Sequence, residues 1–331
     1  MKLRNKVPNG LRRWILAVLL LAALPAQPLF AQSWPARPIR LLIGFAPGSA
    51  TDTVARTLAE PLGAALGQQI IVENRPGAAS TVAAEATAHA QPDGYTLTLG
   101  TNSAMSTGPA GLVRVNYDPV RDFTALGRVG TVTFMLAGNN QLAARTLPEL
   151  IENARKSPEK FNCASGNANG IVFCELFKQR VGAAMASVPY KSTPPAVTDL
   201  IGGQVQVMFI DVPTGAPRVR SGQIRAFAVT SPQRSSILAD VPTFAEAGVA
   251  NFPPNSGWWG LYGPAGLPRA VAERIAAALD AVLRQPDVRQ RLLAAGVEPS
   301  HLPASEMDAF LSQQLEDWRR FLKEFNISPG L

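Results

Sequence analysis

The chain has 331 residues, 47% of them hydrophobic and 17% charged, the balance of an ordinary globular α/β protein with room for about two domains. Its net charge of +7 is concentrated at the start: the first 31 residues hold Lys2, Arg4, Lys6, Arg12 and Arg13 and no acid, and the remainder carries 26 basic against 24 acidic residues, or +2. That near-neutral remainder argues against a nucleic-acid partner, and the two histidines and two cysteines form no cluster at metal-ligand spacing.

The basic residues of the first segment precede an apolar run from Trp14 to Leu24. This run is short for a membrane span of about 20 residues and has the layout of a cleaved signal peptide, residues 1–31, with cleavage near Ala31. Leu29 at the −3 position is less usual than Ala. No later stretch is long and apolar enough to cross a bilayer, so a soluble protein exported to the periplasm is expected. In that compartment Cys163 and Cys174 can pair. Their spacing allows a bridge from a strand end to the next helix, but it does not decide between a bridge and two buried thiols.

The first predicted unit organises the rest of the chain. Ile39 to Phe45 is a short apolar run that reads as a buried strand, stopped by Pro47 and Gly48. Ser49-Ala50-Thr51-Asp52 has the pattern of a capping box. Val54, Leu58 and Leu62 recur at helical spacing up to Gly67. A strand, a small-residue loop and a helix start leave unpaired N–H groups facing a crevice, which suits an anion. Gln69 to Glu73 is a second strand, Ala78 to His89 an Ala-rich helix, and Tyr95 to Leu99 a third strand that runs into the polar loop Gly100 to Ser103. Strands alternating with helices imply a parallel sheet whose ligands sit beyond the strands' carboxyl ends. Gly48 to Asp52 and Thr101 to Ser103 would then share one rim.

The extended, apolar segment near 126–137 reads as the crossing into a second domain. There the pattern restarts: a helix over Leu147 to Arg155, a strand over Lys160 to Ala164, the small polar loop Ser165 to Gly170, and a helix from Ile171 to Val181. Next come a strand over Met185 to Pro189, a helix over Pro194 to Ile201, a strand over Gln204 to Ile210 ending at Asp211, and a helix from about Pro213. The strand at 224–230 has no helix pattern after it and is the candidate return crossing. This gives a discontinuous first domain, 32–128 and 231–331, and a second domain, 129–230. The last part offers a strand over Trp258 to Tyr262 and three helices, Arg269 to Leu283, Pro286 to Ala295 and Ser305 to Phe325.

These residues are poorly suited to catalysis. His89 and His301 lie away from the polar loops, Cys163-Ala164-Ser165-Gly166 is not a nucleophile elbow, and Gly44 to Ser49 lacks the Lys of a P-loop. Asp52 and Asp211 could in principle pair as acid and base, yet each stands at a helix start, where a carboxylate often only caps. What remains is two facing rims of N–H groups and hydroxyls, suited to holding a small carboxylate without breaking bonds. For Lys191 a ligand contact and a solvated charge stay open, and for Tyr190 a ligand cover and a core position.

Several motifs together resemble one family across nearly the whole mature chain. They are Trp34-Pro35-Ala36-Arg37-Pro38-Ile39-Arg40, Phe45-Ala46-Pro47-Gly48 with Thr51-Asp52, Val72-Glu73-Asn74-Arg75-Pro76-Gly77, and Pro92-Asp93-Gly94-Tyr95-Thr96-Leu97. Further along come Val188-Pro189-Tyr190-Lys191, Asp199-Leu200-Ile201-Gly202-Gly203-Gln204-Val205 and Asp240-Val241-Pro242-Thr243. The resemblance is to Bug-type (TctC-like) solute receptors of tripartite tricarboxylate transporters. It implies an α/β, two-domain periplasmic binding protein of type II-like, Venus-flytrap form, a monomer that uses no cofactor and no metal. It also implies a ligand carboxylate held between Phe45, Ala46, Gly48, Thr51 and Asp52 on one side and Ser165, Gly166, Asn167 and Asp211 on the other, with Thr101 and Ser103 nearby. Asp52 would face the ligand directly or through water.

Three departures bear on the ligand. Ser49 and Ala50 follow Gly48 where the family often has a glycine run, Ala168 and Asn169 end the second loop where Gly-Thr is common, and Ser192 follows Lys191 where Gly is usual. The expected role is capture of an organic acid or acidic amino acid for membrane transporter subunits. A ligand-dependent sensor docking on a signalling partner is the alternative, and an enzyme using the same cleft a weaker one.

Overall fold

The computed structural model describes residues 34–249, 252 and 256–327, so the expected signal peptide lies outside the described residues. Every element of the described fold lies within Arg37–Leu331.

The sheet begins as anticipated. Strand β1 (Ile39–Ile43) lies between β2 (Ile70–Asn74) and β3 (Thr96–Thr101), parallel to both. Helix α1 (Ala50–Leu66) starts at Ser49, whose Oγ accepts the N–H of Asp52, and ends at Gly67 in the left-handed conformation. Its buried face, Val54, Leu58, Leu62 and Leu66, covers the sheet. The Ala-rich helix is shorter than expected. Helix α2 spans Thr81–Ala88, and Ala78, Ala79 and Ser80 form a tight left-handed turn before it. Alanine carries no local signal for such a turn; Ser80 is held there because it packs against the backbone of Gly44.

After β3 the sheet departs from a plain parallel arrangement. Strand β9 (Ser256–Pro264) inserts antiparallel between β3 and β4 (Phe123–Asn139). β4 is 17 residues long and serves two neighbourhoods. Phe123 to Thr133 pair with β9, and Phe134 to Asn139 pair with β7 (Val207–Asp211) and β8 (Ile224–Val229). Beyond β7 lie β5 (Asn162–Ser165) and β6 (Ala186–Pro189), both parallel. The full order is β2-β1-β3-β9-β4-β7-β5-β6, with β8 also on β4. One continuous strand therefore carries the chain from the first half of the sheet into the second.

The helices of the second half are α3 (Leu147–Lys156), α4 (Ala168–Val181), α5 (Thr193–Gly202) and α6 (Val212–Arg220). Residues after β8 still pack with this half. Leu238 and Val241 share a core with Met135, Met208 and Ile210, and Phe244 and Phe252 stack on Phe209. The last three helices, α7 (Arg269–Arg284), α8 (Pro286–Ala294) and α9 (Ala304–Glu324), come after β9. Met307, Leu311 and Leu315 of α9 share a core with Ala104 and Met105. Ala104 and Met105 belong to an unanticipated element, a wide-turned helix over Ser103–Leu112. Gly108, Pro109 and Gly111 argue locally for a loop; burial under α9 overrides that preference.

Candidate functional site

Five helix starts meet around one cavity of about 370 Å³, counted out to its open mouth. Ser49, Ala50 and Thr51 come from the start of α1, Asn102 and Ser103 from the wide-turned helix, Asn167 from α4, Thr193 from α5 and Asp211 from α6. Each comes after a sheet strand, so these starts gather at the strands' carboxyl ends. Phe45, Thr101, Val132, Phe134, Trp258 and Trp259 complete the lining. All of these side chains are at most 7% exposed.

The first loop is held rigid from behind. Gly48 adopts φ +79°, and its N–H donates to Asp52 Oδ2 at 3.0 Å. Asp52 also accepts from Arg56 Nε at 3.0 Å and from Asn74 Nδ2 at 2.9 Å, and the same Asn74 Nδ2 donates to the carbonyl of Phe45. Burial disfavours the Asp52 charge, but the hydrogen bonds of Arg56, Asn74 and Gly48 outweigh it and hold the carboxyl below its ordinary range. The Asp52 carboxylate is thus committed to the loop's own frame and is not part of the cavity wall.

The second rim is built from caps. Asn167 Oδ1 accepts the N–H of Gly170 at 2.8 Å, and Asp211 Oδ1 accepts that of Thr214 at 2.9 Å. Gly166 lies so close to Thr193 that a Cβ there would approach its Cα to 2.4 Å, so only glycine lets this loop pack on the start of α5. Burial pushes the Asp211 carboxyl up, against the hydrogen bonds of Thr214 and the charge of Arg218.

Two ties join the rims. Ser192 leaves its own helix uncapped, and its Oγ instead accepts the N–H of Ala46 at 3.0 Å. Asn102 Nδ2 donates to Asn169 Oδ1 at 2.5 Å, and Thr107 Oγ1 donates to the same oxygen at 3.0 Å.

Of the residues expected here, Phe45, Thr51, Thr101, Ser103, Asn167 and Asp211 line the cavity together. Ala46, Gly48, Asp52, Ser165 and Gly166 stand in the supporting loops and do not line it. Lys191 is exposed. Tyr190 packs against the second-half core and donates its O–H to Asp199 Oδ2 at 2.6 Å; burial and that bond push its pKa up to about 12. His89 and His301 are exposed on other elements. Among the described residues no group of His, Cys, Asp and Glu could hold a metal ion. Cys163 and Cys174 form a disulfide beneath the second loop, with Cα atoms 5.9 Å apart.

The tryptophans of the wall escaped sequence reasoning. Trp258 and Trp259 read as an ordinary strand; only the insertion of β9 between β3 and β4 brings them to the cavity, where Trp259 Nε1 donates to Thr51 Oγ1 at 3.0 Å. Asn102 lies inside the rim Thr101 to Ser103 that the loop pattern singled out, and Thr193 follows Ser192.

Comparison with known proteins agrees with this architecture. The profile of the Tripartite tricarboxylate transporter family receptor, TctC, matches residues 54–327. The chain is 32% identical to Protein BugT of Bordetella pertussis over 313 residues, covering 94% of this chain and 96% of BugT. Among solved structures, Rpa4515 of R. palustris with adipate superposes with a TM-score of 0.85 at 29% identity, over 90% of this chain and 100% of that one. MatC from Rhodopseudomonas palustris with bound malate gives 0.80 at 29%, over 87% and 99%. The fold is that of the two-domain α/β periplasmic binding proteins, and the chain belongs to the Bug-type, TctC-like receptors of the tripartite tricarboxylate transporter family.

Proposed function

We propose that this receptor captures a small carboxylate in the cavity between the helix starts and delivers it to the membrane subunits of a tripartite transporter. The observation that carries the reading is the convergence of five helix starts on one small, buried space. Each start directs N–H groups and the positive end of a helix dipole toward that space, so an anion is stabilised there without a formal positive charge. The neighbours determined with malate and with adipate are family relatives with carboxylate ligands. The supporting residues Gly48, Asp52, Ser165 and Gly166 act by holding the two loops in register.

Thermal unfolding with a panel of organic acids tests the proposal. A ligand that binds only the folded chain adds about 2.7 kcal/mol at a concentration 100 times its Kd, so at least one acid should raise the midpoint while its uncharged amide does not. A panel of acids without effect, or an amide that works as well as its acid, would sink it.

A further inference from the structure

The cavity wall is made of neutral hydrogen-bonding groups and hydrocarbon with no positive charge, and that composition limits the ligand to one charge. On the donor side each side-chain oxygen already accepts one hydrogen bond from the protein. Ser49 Oγ accepts from Asp52 N at 3.2 Å, Thr51 Oγ1 from Trp259 Nε1 at 3.0 Å, Thr101 Oγ1 from Ala104 N at 3.4 Å, and Asn167 Oδ1 from Gly170 N at 2.8 Å. Each group keeps an O–H or N–H to give. A carboxylate accepts at about four sites, so these four groups can satisfy one carboxylate.

The rest of the lining adds only the neutral polar residues Asn102, Ser103 and Thr193, Ala50 and the acid Asp211 to a wall of hydrocarbon. Phe45, Val132, Phe134, Trp258 and Trp259 are each at most 5% exposed and present carbon to the cavity. Among the described lining residues there is no Lys, Arg or His, and the only ionisable side chain is the acid Asp211. A second ionised group would lose its water without gaining a counter-charge, and it would share the space with Asp211. A flat apolar body gains instead, by burying its faces against aromatic rings.

Resting on the proposed capture of a carboxylate, we infer that the cavity selects a monocarboxylate with an apolar, ring-like body over dicarboxylates of the same skeleton. In this it differs from the neighbours determined with malate and with adipate.

Titration calorimetry on the mature chain at neutral pH, with matched acids, tests the inference. Benzoate against isophthalate, and hexanoate against adipate, hold the skeleton fixed and vary only the number of carboxylates. The monocarboxylate is expected to bind at least tenfold more tightly within each pair, and benzoate at least tenfold more tightly than acetate. Equal or tighter binding of the dicarboxylate in either pair overturns the single-charge claim while leaving carboxylate capture intact. Acetate equal to benzoate overturns the claim about the ligand's body. If none of the five acids binds, carboxylate capture itself fails, and the inference with it.

Discussion

The carboxylate of Asp52 stands behind the first loop, where it ties Gly48, Asn74 and Arg56 together. Asp52→Ala removes a buried, charge-assisted cluster, so it should cost about 1–3 kcal/mol of stability as well as ligand affinity. Denaturant unfolding measures the first and calorimetry the second; lost affinity with unchanged stability would mean that Asp52 meets the ligand after all. The pH dependence has a definite sign. The folded-state pKa lies below that of the unfolded chain, so the stabilisation is fully present above the ordinary carboxylate range and is lost as pH falls through the lowered value. The alanine variant should therefore show a shallower acid limb than wild type. A sequence shows that Ser49-Ala50-Thr51-Asp52 caps a helix; it does not show which way the carboxylate faces, because Asn74, which claims one of its oxygens, arrives from 22 positions away. The same limit applies to Trp258 and Trp259, whose role arises from a strand insertion.

At the scale of elements, local signals located most strands and helices to within a few residues. Ser49 and Gly67 bound α1, as capping chemistry dictates. The failures share a cause. The helix over Ser103–Leu112 contains Gly108, Pro109 and Gly111, and it is helical because its residues are buried against α9 and α4. The left-handed turn at Ala78 to Ser80 likewise results from packing on Gly44. Ser192 is the element-scale feature with a consequence for binding, because its hydroxyl accepts the Ala46 N–H across the two rims. A hydrogen bond of about 1 kcal/mol that forms only when the rims meet should favour the closed arrangement by roughly fivefold. Ser192→Ala should therefore weaken ligand binding several-fold, chiefly by faster dissociation in stopped-flow measurements, with no change in secondary structure. An unchanged dissociation rate would show that the contact contributes nothing to closure.

At the scale of the molecule, the two sheet halves share β4, and the cavity draws on both halves and on Val132 and Phe134 of that strand. We propose that the halves are the two lobes of a flytrap. On that reading the first crossing is placed in β4, which both halves share. The second is better placed just before β9 than at 224–230, because Leu238, Val241, Phe244 and Phe252 remain packed with the second half. An apolar strand at the end of a lobe looks the same in sequence whether or not the chain leaves afterwards, so composition alone could not choose. The most direct test of carboxylate capture at the helix starts is a crystal structure of the mature chain with a bound acid. Both carboxylate oxygens should lie within about 3.2 Å of N–H or O–H donors at the helix starts near Ser49 to Thr51 and near Asn167, with the body of the acid against Phe45 and Trp259. An acid bound instead through Lys191 or another exposed cation, with those helix starts empty, would contradict it.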